Sequence, residues 1–200
     1  MKKQSLIYLF ATLFILSGIK AQKTLLNEDF KKTNKDWLNY NGKVSFLFYN
    51  GKLIFGNADT LTYNINMPVT IDDGKDFSIT ATATHTDGKD NYGYGILFGS
   101  SDISNYYSFC ITSGGYFRLA KSTTTDYSEI IKWTQSAALK KGNYVDNVLK
   151  ISRKDGNWII EANGLTLGKA AALPFFGNKV GFSLSNTQRV EFDDVKVVQK

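Results

Sequence analysis

From about residue 44 to the C-terminus the chain repeats one local pattern. Runs of five to nine residues, alternating or continuously apolar and rich in Val, Ile, Thr, Tyr and Phe, are separated by short polar breaks. A helical period is almost absent, so the pattern reads as strand after strand. Six Asn-Gly or Asp-Gly pairs punctuate it, at 41–42, 50–51, 73–74, 87–88, 155–156 and 163–164. Such pairs accept the positive φ angles of two-residue hairpin turns, where other residues clash. The clearest hairpins are the pair at 50–51, between strands at 44–49 and 52–55, and the pair at 155–156, between 148–153 and 157–161. Further strands are predicted at 61–67, 76–85, 92–98, 105–112, 115–121, 127–133, 179–185 and 189–198, with short helical turns only at 136–141 and 169–173. Many short strands at this spacing predict an all-β, antiparallel sandwich.

The chain's 200 residues suit one domain with a sizeable core. The N-terminus reads Met1-Lys2-Lys3, then an apolar run from Leu6 to Leu16, then Ser17 to Ala21. That is the form of a secretory leader with cleavage after Ala21, and the run is too short to span a bilayer. The reading is therefore a signal peptide at 1–21 and a single exported domain at 22–200, secreted, periplasmic or at the cell surface, with no transmembrane anchor after cleavage. The leader carries three lysines and no acid, so the formal charge falls from +6 to +3 on its removal. Basic residues beyond it never run longer than pairs, and no clustered patch supports nucleic-acid binding. One cysteine, Cys110, excludes an intrachain disulfide. It sits between Phe109 and Ile111 and reads as a small packed side chain. His85, the one histidine, ends a strand beside the Asp87–Asn91 hairpin loop and reads as an exposed polar residue.

In the second half the pieces follow a distinctive order: Gly93-Tyr94-Gly95-Ile96-Leu97-Phe98-Gly99, Asn105-Tyr106-Tyr107-Ser108-Phe109, Gly115-Tyr116-Phe117-Arg118-Leu119, Trp133 and Asn147-Val148-Leu149-Lys150-Ile151. Then come Gly156-Asn157-Trp158, Asn163-Gly164, Val180-Gly181-Phe182 and Val190-Glu191-Phe192-Asp193-Asp194-Val195. This order, with the opening Glu28-Asp29-Phe30, resembles the concanavalin A-like lectin/glucanase superfamily in its laminin-G-like bacterial branches. The resemblance implies a jelly-roll β-sandwich of two curved antiparallel sheets, with first and last strands adjacent. It also implies an edge-pairing role for the closing strand.

Glucanases of that superfamily place two carboxylates on one strand face, one as nucleophile and one as acid. Here only Glu191-Phe192-Asp193 has the Glu-x-Asp spacing, and residue 196 is Lys where a third acid would fall. No phosphate loop, nucleotide fingerprint or serine elbow occurs. Catalysis is thus the weaker expectation, and no cofactor is implied. Glu28, Asp29 and Asp194, where the termini should meet, are the candidate ligands of a structural calcium ion.

Sugars pack their C–H patches on aromatic rings and match their hydroxyls to nearby polar groups. Strand phase turns Tyr107, Phe109, Ile111, Phe117 and Leu119 to the core, leaving Tyr106, Tyr116 and Arg118 on the other side. Gly93 and Gly95 leave one face of their strand bare, either for a ligand or another backbone to approach or to relieve crowding. Tyr106, Tyr116, Arg118, Gly93 and Gly95, bordered by Trp133, are the candidate ligand site on a concave sheet. The expected function is a non-catalytic binding module for a glycan or a cell-surface partner. The alternatives are a structural or adhesive envelope protein that binds another protein, and a carbohydrate-active enzyme.

Overall fold

The computed structural model describes residues 22–38 and 43–200. The leader segment and the Asn-Gly pair at 41–42 lie outside the described residues. Fourteen strands are present among those described: β1 (Lys23–Glu28), β2 (Val44–Tyr49), β3 (Lys52–Asn57), β4 (Thr62–Pro68), β5 (Phe77–Gly88), β6 (Tyr94–Ser100), β7 (Tyr106–Ile111), β8 (Tyr116–Ser122), β9 (Tyr127–Gln135), β10 (Asp146–Lys154), β11 (Asn157–Ala162), β12 (Leu165–Ala171), β13 (Lys179–Ser185) and β14 (Gln188–Gln199). One short 3-10 turn, Lys35–Leu38, follows β1. The strands form two antiparallel sheets. The eight-stranded one runs β12-β11-β10-β5-β14-β3-β2, with β1 also paired to β14, and the six-stranded one runs β4-β13-β6-β7-β8-β9.

Alternation decides which side chains fill the space between the sheets. In β5, Phe77, Ile79, Ala81, Ala83 and His85 all point inward and are buried. Across from them, Ile96 and Phe98, Tyr107, Phe109 and Ile111, Phe117 and Leu119, and Phe182 and Leu184 come from the six-stranded sheet. Each fully buried large apolar side chain contributes about 1.5–3 kcal/mol of transfer free energy, and a chain with no disulfide depends on that sum. Aromatic stacks bridge the layers. Trp37 lies flat on Phe182 with ring centroids 5.3 Å apart, and Phe182 lies on Phe192 at 3.7 Å. At the other end Trp158 meets Phe98 and Tyr107 edge-on. The buried Tyr107 hydroxyl replaces its lost water by donating to the Pro174 carbonyl at 2.9 Å.

The hairpins at 50–51, 155–156 and 163–164 each have positive φ at both turn residues, as their sequences require. Elsewhere the structure departs from the sequence reading. Residues 169–171 belong to strand β12, which the eye misses because Ala170, Ala171 and Ala172 look helical; the Asn163-Gly164 hairpin recruits them into the sheet. Residues 136–139 form a single turn closed by Leu139 N–H to the Ser136 carbonyl, not a helix. His85 is fully buried, because it occupies the inward phase of β5. Its Nδ1 lies 2.7 Å from Asn143 Oδ1 and its ring stacks on Tyr94. The loop after β5 is no hairpin, since β5 and β6 lie in different sheets. Nor does β14 sit at an edge: it pairs with β5, β3 and β1.

Candidate binding face of the six-stranded sheet

The sequence-derived site residues fall on the outer face of β6 to β9. The register sets Cys110 opposite Arg118, Ser108 opposite Ala120 and Tyr106 opposite Ser122. These positions therefore share a face, while Phe109, Ile111, Phe117 and Leu119 fill the core. On the neighbouring strand β9, Glu129 stands opposite Ala120 and Tyr127 opposite Ser122. Two register shifts follow, one between Ala120 and Leu119 and one between Leu119 and Phe117. The first turns Ile131 inward, where it packs over Gly168 of the other sheet. The second sets the pair Lys132 and Trp133 against the single residue Arg118 and returns Trp133 to the outer face.

The result is a cluster centred on Arg118. Its guanidinium carbon lies 4.6 Å from the centroid of the Trp133 ring and 5.3 Å from that of Tyr127. One guanidinium nitrogen, Nη1, is 3.6 Å from the Glu129 carboxylate. Arg118 Nε is buried and has no hydrogen-bond partner. Burial pushes the Tyr127 phenol up to about 12, with Arg118 pulling the other way, so it remains a neutral hydroxyl near neutral pH. Burial likewise raises the Cys110 thiol, which leaves it a packed, unreactive floor residue.

Trp133 also explains the bare glycine. A Cβ on Gly93 would lie 3.2 Å from Cη2 and Cζ2 of the Trp133 ring. Trp133 stands on β9 and Gly93 precedes β6, three strands away, which in a flat sheet is about 14 Å. The ring reaches across the strands between them to close against Gly93. Gly95 has a different reason: a Cβ there would collide with the Phe109 carbonyl and come within 2.9 Å of Cys110 Cα. Its smallness serves strand packing.

Of the sequence-derived residues, the structure brings Arg118, Trp133 and Gly93 together. Tyr106 and Tyr116 lie on the same face but at opposite ends of it, six residues apart along β8 by the register, or about 20 Å. Tyr116 is exposed and Tyr106 half-buried. Tyr127 and Glu129 complete the cluster and were not assigned to the site from sequence. The bulges of β9 interrupt its alternation, and only pairing to β8 shows that they face Arg118.

Glu28, Asp29 and Asp194 do not converge. Glu28 Oε1 accepts the Phe30 amide at 3.1 Å, and Oε2 accepts Asn34 Nδ2 at 2.8 Å and Trp37 Nε1 at 3.4 Å. Its carboxylate thereby anchors the 3-10 turn. Asp29 pairs with Lys31 at 2.9 Å, and Asp194 is exposed. Among the described residues no group of three His, Cys, Asp or Glu side chains is placed to hold a metal ion. Glu191, the only Glu with Glu-x-Asp spacing, is bound to Lys52 at 2.7 Å on the outer face of the other sheet. That face carries an open depression of about 530 Å³ lined by Leu47, Ile54, Tyr144, Arg189 and Glu191 among others. No helix among the described residues is long and apolar enough to cross a membrane.

No protein-family model and no curated protein matches the chain. Solved structures do match. A protein of unknown function with a galectin-like fold from Bacillus subtilis superposes with a TM-score of 0.64 at 13% identity, over 87% of this chain and 94% of that one. The carbohydrate-binding module CBM66 from Bacillus subtilis gives a TM-score of 0.61 at 14% identity, over 78% of this chain and 95% of that one. The binding domain of botulinum neurotoxin DC, solved in complex with rat synaptotagmin II, gives 0.57 at 15% identity, over 87% of this chain and 47% of that one. At such identities the likeness establishes the architecture: the chain folds as a lectin-like β-sandwich of two antiparallel sheets.

Proposed function

We propose that this protein is an exported, non-catalytic binding module of the concanavalin A-like kind that holds a glycan on the concave face of its six-stranded sheet. One observation carries the reading. Arg118 lies against the rings of Trp133 and Tyr127 beside the Glu129 carboxylate, next to the small residues Cys110, Ser108 and Ala120 of the same face. Rings offer apolar platforms for sugar C–H groups, while a guanidinium and a carboxylate side by side supply a donor and an acceptor for neighbouring hydroxyls. That some fold neighbours are carbohydrate-binding modules supports the same reading.

A panel of immobilised polysaccharides tests it: laminarin, galactomannan, xylan, levan, polygalacturonate and hyaluronan. Retention on at least one, lost in Trp133→Ala and Tyr127→Ala proteins that still fold, is the expected result. Retention that survives both substitutions moves the site elsewhere, and no retention on any polymer overturns the glycan reading. A protein partner is the second reading, favoured by Leu47, Tyr49 and Tyr144, which are 54%, 60% and 76% exposed. Leu47 and Tyr144 line the depression on the eight-stranded sheet. Stoichiometric capture of one protein, abolished by Leu47→Asp, would support it.

A further inference from the structure

The basic residues of this chain never run longer than pairs in the sequence beyond the leader, but sheet register gathers several of them on the outer face of the eight-stranded sheet. In β10, Leu149 and Ile151 fill the core, which leaves Lys150, Ser152 and Lys154 on the outer side. Lys150 stands opposite Thr80 of β5, and Thr80 opposite Lys196 of β14. One step along the face, Ser152 stands opposite Ser78, and Ser78 opposite Val198. Beyond them the Lys200 N–H donates to the Asp76 carbonyl at 3.0 Å. Two serines are thus bracketed by lysines, Lys150 and Lys196 on one side and Lys154 and Lys200 on the other.

Ser78, Ser152, Lys150, Arg153, Lys154 and Lys200 line a pocket of about 210 Å³, to which Asp76 brings the one carboxylate. It adjoins a wider depression of about 540 Å³, with which it shares Asp76, Arg153 and Lys200. Carboxylates offset only part of the charge. Asp76 lies 3.9 Å from Arg153, and Glu161 of β11 holds Lys150 at 2.7 Å. Among the described residues, the side chains of Lys154, Lys196 and Lys200 form no ion pair, and neither serine hydroxyl forms a hydrogen bond.

Like charges so arranged repel. Lys150 and Lys196 are two interstrand spacings apart, about 10 Å, and Lys150 and Lys154 are about 13 Å apart along β10. An anion over the serines offsets that repulsion and accepts from both hydroxyls. Facing Cβ atoms on paired strands are about 5 Å apart, a span that two oxygens of one tetrahedral anion can bridge. Lysines act as point charges and suit an anion whose oxygens point several ways. A flat carboxylate is matched better by a guanidinium fork, and that of Arg153 already faces Asp76.

We propose that this pocket is a second binding site, for the tetrahedral oxyanion of a phosphate or sulfate ester whose carrier lies in the wider depression. Ser78 and Ser152 donate to its oxygens, and the lysines supply the opposing charge. The site lies on the sheet opposite the Arg118 cluster and stands or falls independently of the glycan reading.

Calorimetric titration with inorganic phosphate and with sulfate, in a chloride buffer of fixed ionic strength, tests it. Both anions should bind at one site and raise Tm by mass action, whereas nitrate should do neither. Phosphate should also shift the Ser78 and Ser152 amide signals in 1H–15N spectra. Ser152→Ala, which changes no charge, should weaken binding about tenfold, and Lys154→Gln at least as much. Lys179→Gln, on the other sheet, removes the same charge and should match wild type. If Ser152→Ala binds like wild type while Lys154→Gln and Lys179→Gln weaken alike, the attraction is diffuse and the site is overturned. Nitrate binding as tightly as sulfate, or no binding by phosphate and sulfate, also overturns it. Vesicles of phosphatidylcholine with phosphatidic acid, and soluble dextran sulfate, separate the carriers. Vesicle capture lowered by Ser152→Ala assigns the ester to a lipid, and dextran sulfate capture so lowered assigns it to a polymer. Capture of both that ignores the substitution overturns the proposal.

Discussion

Replacing Arg118 with lysine keeps a positive charge on β8 but removes the flat guanidinium that two rings embrace. The cost to stability follows from the contacts. A cation over a partly exposed ring is worth about 0.5–1 kcal/mol, and Arg118 has two such rings, at 4.6 and 5.3 Å. The Glu129 pair at 3.6 Å is looser than a hydrogen bond and partly wet, so it adds about 0–1 kcal/mol, part of which lysine retains. Losing the orphaned Nε returns some free energy, because it was buried without a partner. The net loss is about 1–2 kcal/mol, and in a domain of this size that lowers Tm by about 2–8 °C. Glycan affinity should fall much further in proportion, roughly 10- to 150-fold, the range for hydrogen bonds to a charged donor. Scanning calorimetry and glycan titration on the same preparation give both numbers. A Tm drop beyond about 15 °C would make Arg118 a structural strut, and unchanged affinity would remove it from the site.

Other consequences can be checked by melting alone. Trp158 is fully buried with edge contacts to Phe98 and Tyr107, so Trp158→Ala should cost about 3–5 kcal/mol. Trp158→Phe should cost less, since the indole N–H has no partner to lose. The reverse order would contradict the packing. Burial raises the Asp193 carboxyl above its ordinary 3.8, against the opposing pull of the Asp194 backbone N–H that donates to it, so the folded state holds this proton more tightly than the unfolded one. Its ionised form therefore weakens the fold as pH rises through the raised value. Asp193→Asn should raise Tm at neutral pH, and the gain should vanish below pH 3.8; a gain that grows on acidification would refute the assignment. Because the Glu28 oxygens are already taken by Phe30, Asn34 and Trp37, neither calcium nor EDTA should move Tm. A calcium-dependent rise of several degrees would reopen that site.

The sequence made the sandwich legible because alternation and turn chemistry are local. Tyr107, Phe109 and Ile111 reveal their inward face without any knowledge of their neighbours, and Asn50-Gly51 and Asp155-Gly156 announce their turns. Features that depend on pairing were less visible. His85 continues the inward phase of Phe77, Ile79, Ala81 and Ala83, yet its polarity suggested exposure; Asn143, from a distant loop, pairs with its Nδ1, while Nε2 is buried without a partner. Strand β12 hides among alanines until the Asn163-Gly164 turn folds it onto β11. In the site, the bulges of β9 defeat simple alternation, so the convergence of Trp133, Tyr127 and Glu129 on Arg118 emerges only from the register. Tyr106 and Tyr116 share the face but lie six residues of register apart on it, a separation that strand phase alone does not reveal.

On the proposed reading the outer face of the six-stranded sheet, and not that of the eight-stranded one, receives the glycan. Amide and indole 1H–15N spectra recorded while a retained oligosaccharide is added test this most directly. Perturbed signals are expected at the Trp133 indole, Arg118 Nε–H, Tyr127, Ser108 and Ser183, with Leu47, Tyr144 and Arg189 unmoved. Perturbation of Leu47, Tyr144 and Arg189 with a silent Trp133 indole would contradict it.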